Sequence, residues 1–217
     1  MEIIVMGKAT EYFTPDEIIL NLNFYTKEST YNGVLSKGVN DVQIFVSEVL
    51  LKNGFDIHDM KTSNFVIKKE QKYDEETRSY IFDGFSFNQS TYLKFDYDKE
   101  RLMRIMEDLS KLENAPSCQI NFDVKDIEKY KRIILSKAYE DAKMQAETIA
   151  LAANKGLKQC LKVDFKPFDS DYMSQTNLDS TMMYETAKSN IAESLYNTFT
   201  PEDIEVSETL YCLWIAE

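Results

Sequence analysis

The chain has 217 residues, 43% hydrophobic and 29% charged, the balance of a globular protein with a sizeable core and not of a disordered one. Lys and Arg number 25 against 37 Asp and Glu, and the resulting net charge of −12 excludes nucleic acid as a partner unless a local basic patch offsets it. None is found: the lysines of residues 66–72 run straight into Asp74, Glu75 and Glu76.

Polar residues return at Lys8, so residues 1–13 do not read as an export signal, and no run approaches the roughly 20 apolar residues of a membrane span. A cytoplasmic protein without a transmembrane segment is expected, or an envelope protein if a leader has been removed. The first strand is predicted at 2–12, with Thr14-Pro15-Asp16 as the turn that follows it. Within 16–25, Ile18, Leu20, Leu22 and Phe24 alternate with Asn21 and Asn23, the pattern of a half-buried strand. Val34, Val39, Val42, Phe45, Val46 and Val49 recur at helical spacing, and Gly54 stops that helix.

A long hairpin follows, with arms at 61–73 and 79–97 joined by a turn at 74–78. Tyr80 and Phe82 share one parity while Phe85, Phe87, Leu93 and Phe95 share the other, which predicts a bulge at Gly84. Leu102, Ile105, Met106, Leu109 and Leu112 mark a helix at 98–113, and Ile120, Phe122 and Val124 a strand. A long helix at 126–155 and strands at 157–166 and 203–215 complete the chain. The order strand, long helix, strand, strand thus occurs twice. This predicts a two-layer α+β fold of two β-α-β-β halves sharing one antiparallel sheet, with the long helices packed on one face. No linker separates the halves, so one domain is expected over 1–217.

Residues 169–201 exceed the length of an ordinary connection. From 169 to 205 there are eight acids and one base, a net of −7 (1 − 8) out of −12. Within that stretch Tyr184, Ala187, Ile191 and Leu195 fall at helical intervals, the mark of a short amphipathic helix. Its apolar face lies either on its own domain or on a neighbouring subunit.

Catalytic and metal-binding patterns are scarce. The only histidine is His58, in a connecting loop, which excludes multi-histidine metal sites. Cys118, Cys160 and Cys212 lack the close spacing of zinc or redox pairs, and Cys118 shares strand parity with Ile120 and Phe122, as a core residue does. The stretch from Asp169 begins like a calcium loop but has Met173, Ser174 and Ser180 where the ligand at the fifth position, the glycine at the sixth and the glutamate at the twelfth belong. Asp123 and Asp126 flank a strand-to-helix junction, where Asp126 is placed to cap the long helix rather than to form a catalytic pair. No GxSxG, HExxH, P-loop or GxGxxG spacing occurs. An enzyme is not expected.

Ala138, Ala142, Ala146 and Ala150 stand four residues apart along the long helix. They line one side of it and let its axis approach a neighbouring layer closely, with Ile127, Ile134 and Ile149 on the flanks. The stripe offers no hydrogen bonds, so no cofactor is expected there. It packs against the chain's own sheet or, alternatively, against another subunit.

Ala138, Asp141, Ala142, Ala146, Ile149 and Ala150, closed by Gly156-Leu157, resemble the long-helix signature of the SIMPL-domain family, formerly a domain of unknown function. Other landmarks follow in order. Ile4, Met6 and Gly7 with Thr14-Pro15-Asp16 resemble its opening strand and Pro-Asp turn, and Gly84-Phe85 stands where the family usually has Gly-Tyr. Ile120, Phe122, Val124 and Asp126 resemble the strand before its long helix, and Ile204, Val206, Thr209 and Leu210 its closing strand. The resemblance implies an α+β fold, a tendency to form homo-oligomers, export to the bacterial envelope in many members, and roles in stress tolerance and protein interaction. It implies no catalytic residues. Ala9 replaces the usual second glycine of the opening motif.

Two functions are weighed on this basis. One is a non-enzymatic, self-assembling protein that uses the acidic loop and the long hairpin as contact surfaces. The other is a binding module for a small apolar ligand or peptide, in a groove lined by some of the 13 Tyr and 13 Phe.

Overall fold

The computed structural model describes residues 1–168 and 200–217. In chain order the elements are β1 (Glu2–Phe13), β2 (Glu17–Glu28), α1 (Tyr31–Phe45), β3 (Met60–Asp74), β4 (Ser79–Asp96), α2 (Lys99–Ser110), β5 (Ser117–Asp123), α3 (Ile127–Ala152), β6 (Leu157–Asp164) and β7 (Ile204–Ala216). Each helix starts where a side chain accepts a hydrogen bond from an otherwise free backbone N–H: Thr30 from Gly33 at 3.1 Å, Asp98 from Arg101 at 2.9 Å, and Asp126 from Lys129 at 3.3 Å. A π-helical turn at Val46–Leu50 prolongs α1, and the chain then reverses at Gly54 with φ 75°. The long helix stops differently from expectation. Asn154, not Gly156, takes the left-handed conformation (φ 54°), and Lys155 N–H closes back on the Ala150 carbonyl at 2.9 Å.

The fold is α+β, with the strands in two antiparallel sheets rather than one. One sheet runs β1-β7-β6 and the other β3-β4-β2-β5. The chain order of the two β-α-β-β halves is as the sequence predicts, but their first strands are placed differently. β5 leaves the second half to pair with β2, and β1 takes the place beside β7. Pro15 sits at the break: it has no N–H to continue a ladder, so the strand run ends at Phe13 and restarts at Glu17. The described residues group accordingly into two compact units, one of residues 1–14, 124–168 and 202–217, the other of residues 15–123 and 200–201.

In the first unit β1 pairs with β7 along its whole length. The rows Ile3–Trp214, Val5–Cys212 and Gly7–Leu210 turn one face toward α3. Against them lie Ala138, Ala142, Ala146 and Ala150, all fully buried, so the alanine stripe packs on the chain's own sheet. Of the flanking isoleucines only Ile134 is buried; Ile127 is half-buried and Ile149 exposed.

In the second unit Ile18, Leu20, Leu22 and Phe24 face the core as their alternation predicts, with Phe87, Leu93 and Phe95 from β4. Val34, Phe45 and Val49 from the first helical segment and Leu102, Ile105 and Leu109 from α2 cover them. Cys118, Ile120 and Phe122 of β5 pack against the same cluster.

Candidate functional site

Gly7, Ala138 and Ala142, among the residues that resemble the SIMPL signature, meet at a seam between α3 and β1. Gly7 is required there by space. A Cβ on it would lie 2.0 Å from the Ala138 carbonyl oxygen and 2.7 Å from the Ala142 Cβ. Asp141 and Gln145 stand beside the stripe and bind the edge of β1 that β7 leaves open. Lys8 N–H donates to Asp141 Oδ2 at 3.0 Å, Gln145 Nε2 donates to the Met6 carbonyl at 3.1 Å, and the two side chains join at 2.8 Å. An unpaired strand edge invites another strand, and these side chains occupy it. Gly156 exchanges backbone hydrogen bonds with Glu217 at 2.7 and 3.0 Å, while a Cβ there would meet nothing closer than 3.7 Å. Pro15 and Asp16 carry the chain from one unit to the other, with Asp16 N–H donating to the Asp123 carbonyl at 3.1 Å. These residues hold the fold together; they do not gather around a cavity.

Aromatic residues gather elsewhere, on the far end of the β3–β4 hairpin. Pairing of β4 with β2 ends at Phe85 opposite Glu28, so beyond it β3 and β4 continue as a ribbon of two strands. The predicted bulge is present: Gly84 has φ 95°, and Asp83 and Gly84 together face Glu70. Its effect is to re-phase the strand, so that Phe82 and Phe85, of opposite parity, come to lie on the same face with ring centroids 5.4 Å apart. Tyr31 meets Phe85 at 5.7 Å, Lys69 Nζ lies 5.2 Å from the Phe82 centroid, and Tyr73 stacks edge-on against Tyr80 at 5.4 Å. Apart from the half-buried Phe85 these rings are open to solvent, Tyr80 at 71% and Tyr73 at 54%. They form an open aromatic face, not the walls of a groove. On the opposite side the bulge is braced by the Lys27–Asp83 ion pair and by the Ser86 hydroxyl, which donates to Glu70 at 2.6 Å. That hydrogen bond, with the Lys68 ammonium, holds the Glu70 carboxyl below its ordinary range.

Three open cavities lie on the second unit. One of about 380 Å³ lies at the C-terminal ends of the two helices, where Asp41, Glu48, Asp108 and Glu113 stand with Lys52 and Lys111. Lys111 and then Asn53 hold the Asp108 carboxyl below its usual range, and Asn114 donates to the buried Asp41 at 3.3 Å. A second, of about 230 Å³, opens on the solvent face of the four-stranded sheet. A third, of about 250 Å³, has Phe24 and Tyr25 beside Asp41, Glu113 and Asn114.

Burial pushes the Cys118 and Cys212 thiols up to about 11, so both stay protonated and unreactive at neutral pH. Cys160 and Cys212 are near neighbours on β6 and β7, a proximity that their sequence spacing conceals. His58 is exposed in a 3₁₀ turn. Among the described residues no three His, Cys, Asp or Glu side chains are grouped to hold a metal ion, and no helix is long and apolar enough to cross a membrane. Tyr184, Ala187, Ile191 and Leu195 lie outside the described residues.

Comparison with known proteins gives a family. The model of the SIMPL family, described as a protein of unknown function (DUF541), matches residues 3–212. No curated protein matches the sequence.

Proposed function

The chain belongs to the SIMPL family, and from that premise we propose that it is a non-enzymatic, self-assembling protein with a protein-interaction or stress-related role. The observation that carries this is the aromatic face of the hairpin. Tyr31, Tyr73, Tyr80 and Phe82 are all about half exposed or more. They stand partly on a two-stranded ribbon, a structure that is marginal in water without a covering layer. A second copy of the chain supplies such a layer by packing its own aromatic face against the first. Lys61, Lys68, Lys69 and Lys72 along β3 disfavour simple addition of a strand at the sheet edge, which leaves the face as the contact.

The family match runs through both compact units, which supports reading residues 1–217 as one SIMPL domain. The acidic residues of 169–201 form a second proposed contact, on sequence alone. The triple variant Tyr73→Ser, Tyr80→Ser, Phe82→Ser tests the reading by light scattering. An assembly that falls to the 25.3 kDa chain mass while circular dichroism is unchanged supports it. A variant that assembles as the parent does rules the hairpin out as the contact.

A further inference from the structure

We propose that the solvent face of the four-stranded sheet carries a binding site for a neutral saccharide, in the groove of about 230 Å³ that crosses β5, β2 and β4. Leu22, Thr91 and Cys118 stand side by side in register and turn their side chains into the core. Their backbone is therefore the floor of the groove. One wall is the row of Asn21 and Gln119, and the other is Asn23 with Ser90 and Ser117. The bulge in β3 between Thr62 and Asn64 adds Ser63 to the rim, its Oγ donating to the Ser90 carbonyl at 3.2 Å.

Charge decides the class of ligand. In a chain of 29% charged residues, none of the nine that line this groove carries a charge, since the thiol of Cys118 stays protonated. The nine lining residues offer an ionic ligand no counter-charge, the charge in that row being Lys61 beyond Tyr92, while a neutral ligand pays no penalty for displacing ions there.

Hydrogen-bonding capacity decides the rest. Asn21 has no side-chain partner among the described residues. Asn23 Oδ1 accepts from Ser90 at 3.1 Å and leaves its Nδ2 open, and Gln119 donates to Asn121 at 3.3 Å and leaves its Oε1 open. Each amide offers a donor beside an acceptor, the pair that adjacent sugar hydroxyls match in place of water. Tyr92, registered opposite Asn21, and Tyr25, two residues beyond Asn23, lie on the same face and offer their rings to the apolar C–H side of a sugar. This site lies away from the aromatic face of the hairpin and does not depend on the assembly reading.

The test is an amide-resolved NMR titration of the full chain with maltotriose, chitotriose and, as a charged control, trigalacturonate. Saturable shifts at residues 21–23, 90–92 and 117–119 are expected with at least one neutral sugar and not with trigalacturonate. Asn21→Ala and Gln119→Ala, both on the solvent face, are each expected to raise Kd about tenfold, the usual effect of losing one such hydrogen bond. The proposal is overturned if neither neutral sugar shifts these amides, if the shifts map elsewhere, if trigalacturonate binds equally well, or if both variants bind as the parent does.

Discussion

The two units set helix against sheet in opposite ways. In the first, the helix sets a central stripe of methyl groups at Ala138, Ala142, Ala146 and Ala150, flanked by Leu135 and Tyr139, and the sheet answers with Gly7 at the point of closest approach and with Trp214 and Leu210 around it. In the second, both layers contribute bulk: Phe45 and Val49 face Leu20, Phe24 and Phe87, with Gly38 alone yielding to the Phe87 ring at 2.4 Å from its would-be Cβ. A seam of small residues has little to lose by deletion and no room for addition. A core of large residues behaves in the reverse way. Gly7 and the alanine stripe thus sit where the chain cannot accept an extra atom, which explains a run of small residues there without invoking a ligand.

Substitutions can break that contrast, and urea unfolding midpoints measure them. Gly7→Val is expected to cost the most, more than about 3 kcal/mol, because backbone and not a mobile side chain stands in the way. Unfolding at the parent midpoint would show that α3 can retreat from β1. Leu20→Ala, which opens a void in the other unit, is expected to cost about 2–5 kcal/mol. If the loss is below that range, the large-residue core collapses more readily than its packing indicates. Asp141→Ala removes the acceptor for Lys8 N–H at an exposed strand edge and is expected to cost about 1 kcal/mol. It should also raise the aggregation rate if Asp141 guards that edge; an unchanged rate assigns it to stability alone.

Thr91→Val is expected to act in the other direction. The Thr91 hydroxyl is buried with no partner among the described residues. Replacing it with an isosteric methyl should stabilise the chain by about 1 kcal/mol. A loss of stability would mean that the hydroxyl has a partner, such as a buried water. Gly156→Ala is expected to change the midpoint least, by under about 0.5 kcal/mol, since its backbone is unstrained and a Cβ finds space. A large effect there would restore the glycine as the helix stop in place of Asn154.

Much of this was legible in the sequence, wherever local periodicity decides. The four-residue spacing of the alanines announces close packing, and the parity switch around Gly84 announces the bulge. What is non-local was hidden. The partner of β1 is β7, some 200 residues away in sequence at Glu2 and Ile215, and no periodicity specifies that pairing or divides the strands between two sheets. The aromatic face was hidden for a related reason. Tyr80 and Phe82 belong to the opposite alternation from Phe85, and only the two-against-one count at Glu70 brings them to the same side. The uncharged groove depends on three strands in register and a bulge in a fourth, so its residues 21–23, 63, 90–91 and 117–119 have no common pattern along the chain.

The most direct test of the account is the solution mass of the full chain, by light scattering on a size-exclusion column across protein and salt concentrations. A net charge of −12 opposes association, so added salt should favour it by screening that repulsion. A defined multiple of 25.3 kDa is expected, one that persists on dilution and strengthens with salt. A chain that stays at 25.3 kDa throughout would contradict self-assembly and leave the aromatic face of the hairpin without its proposed occupant.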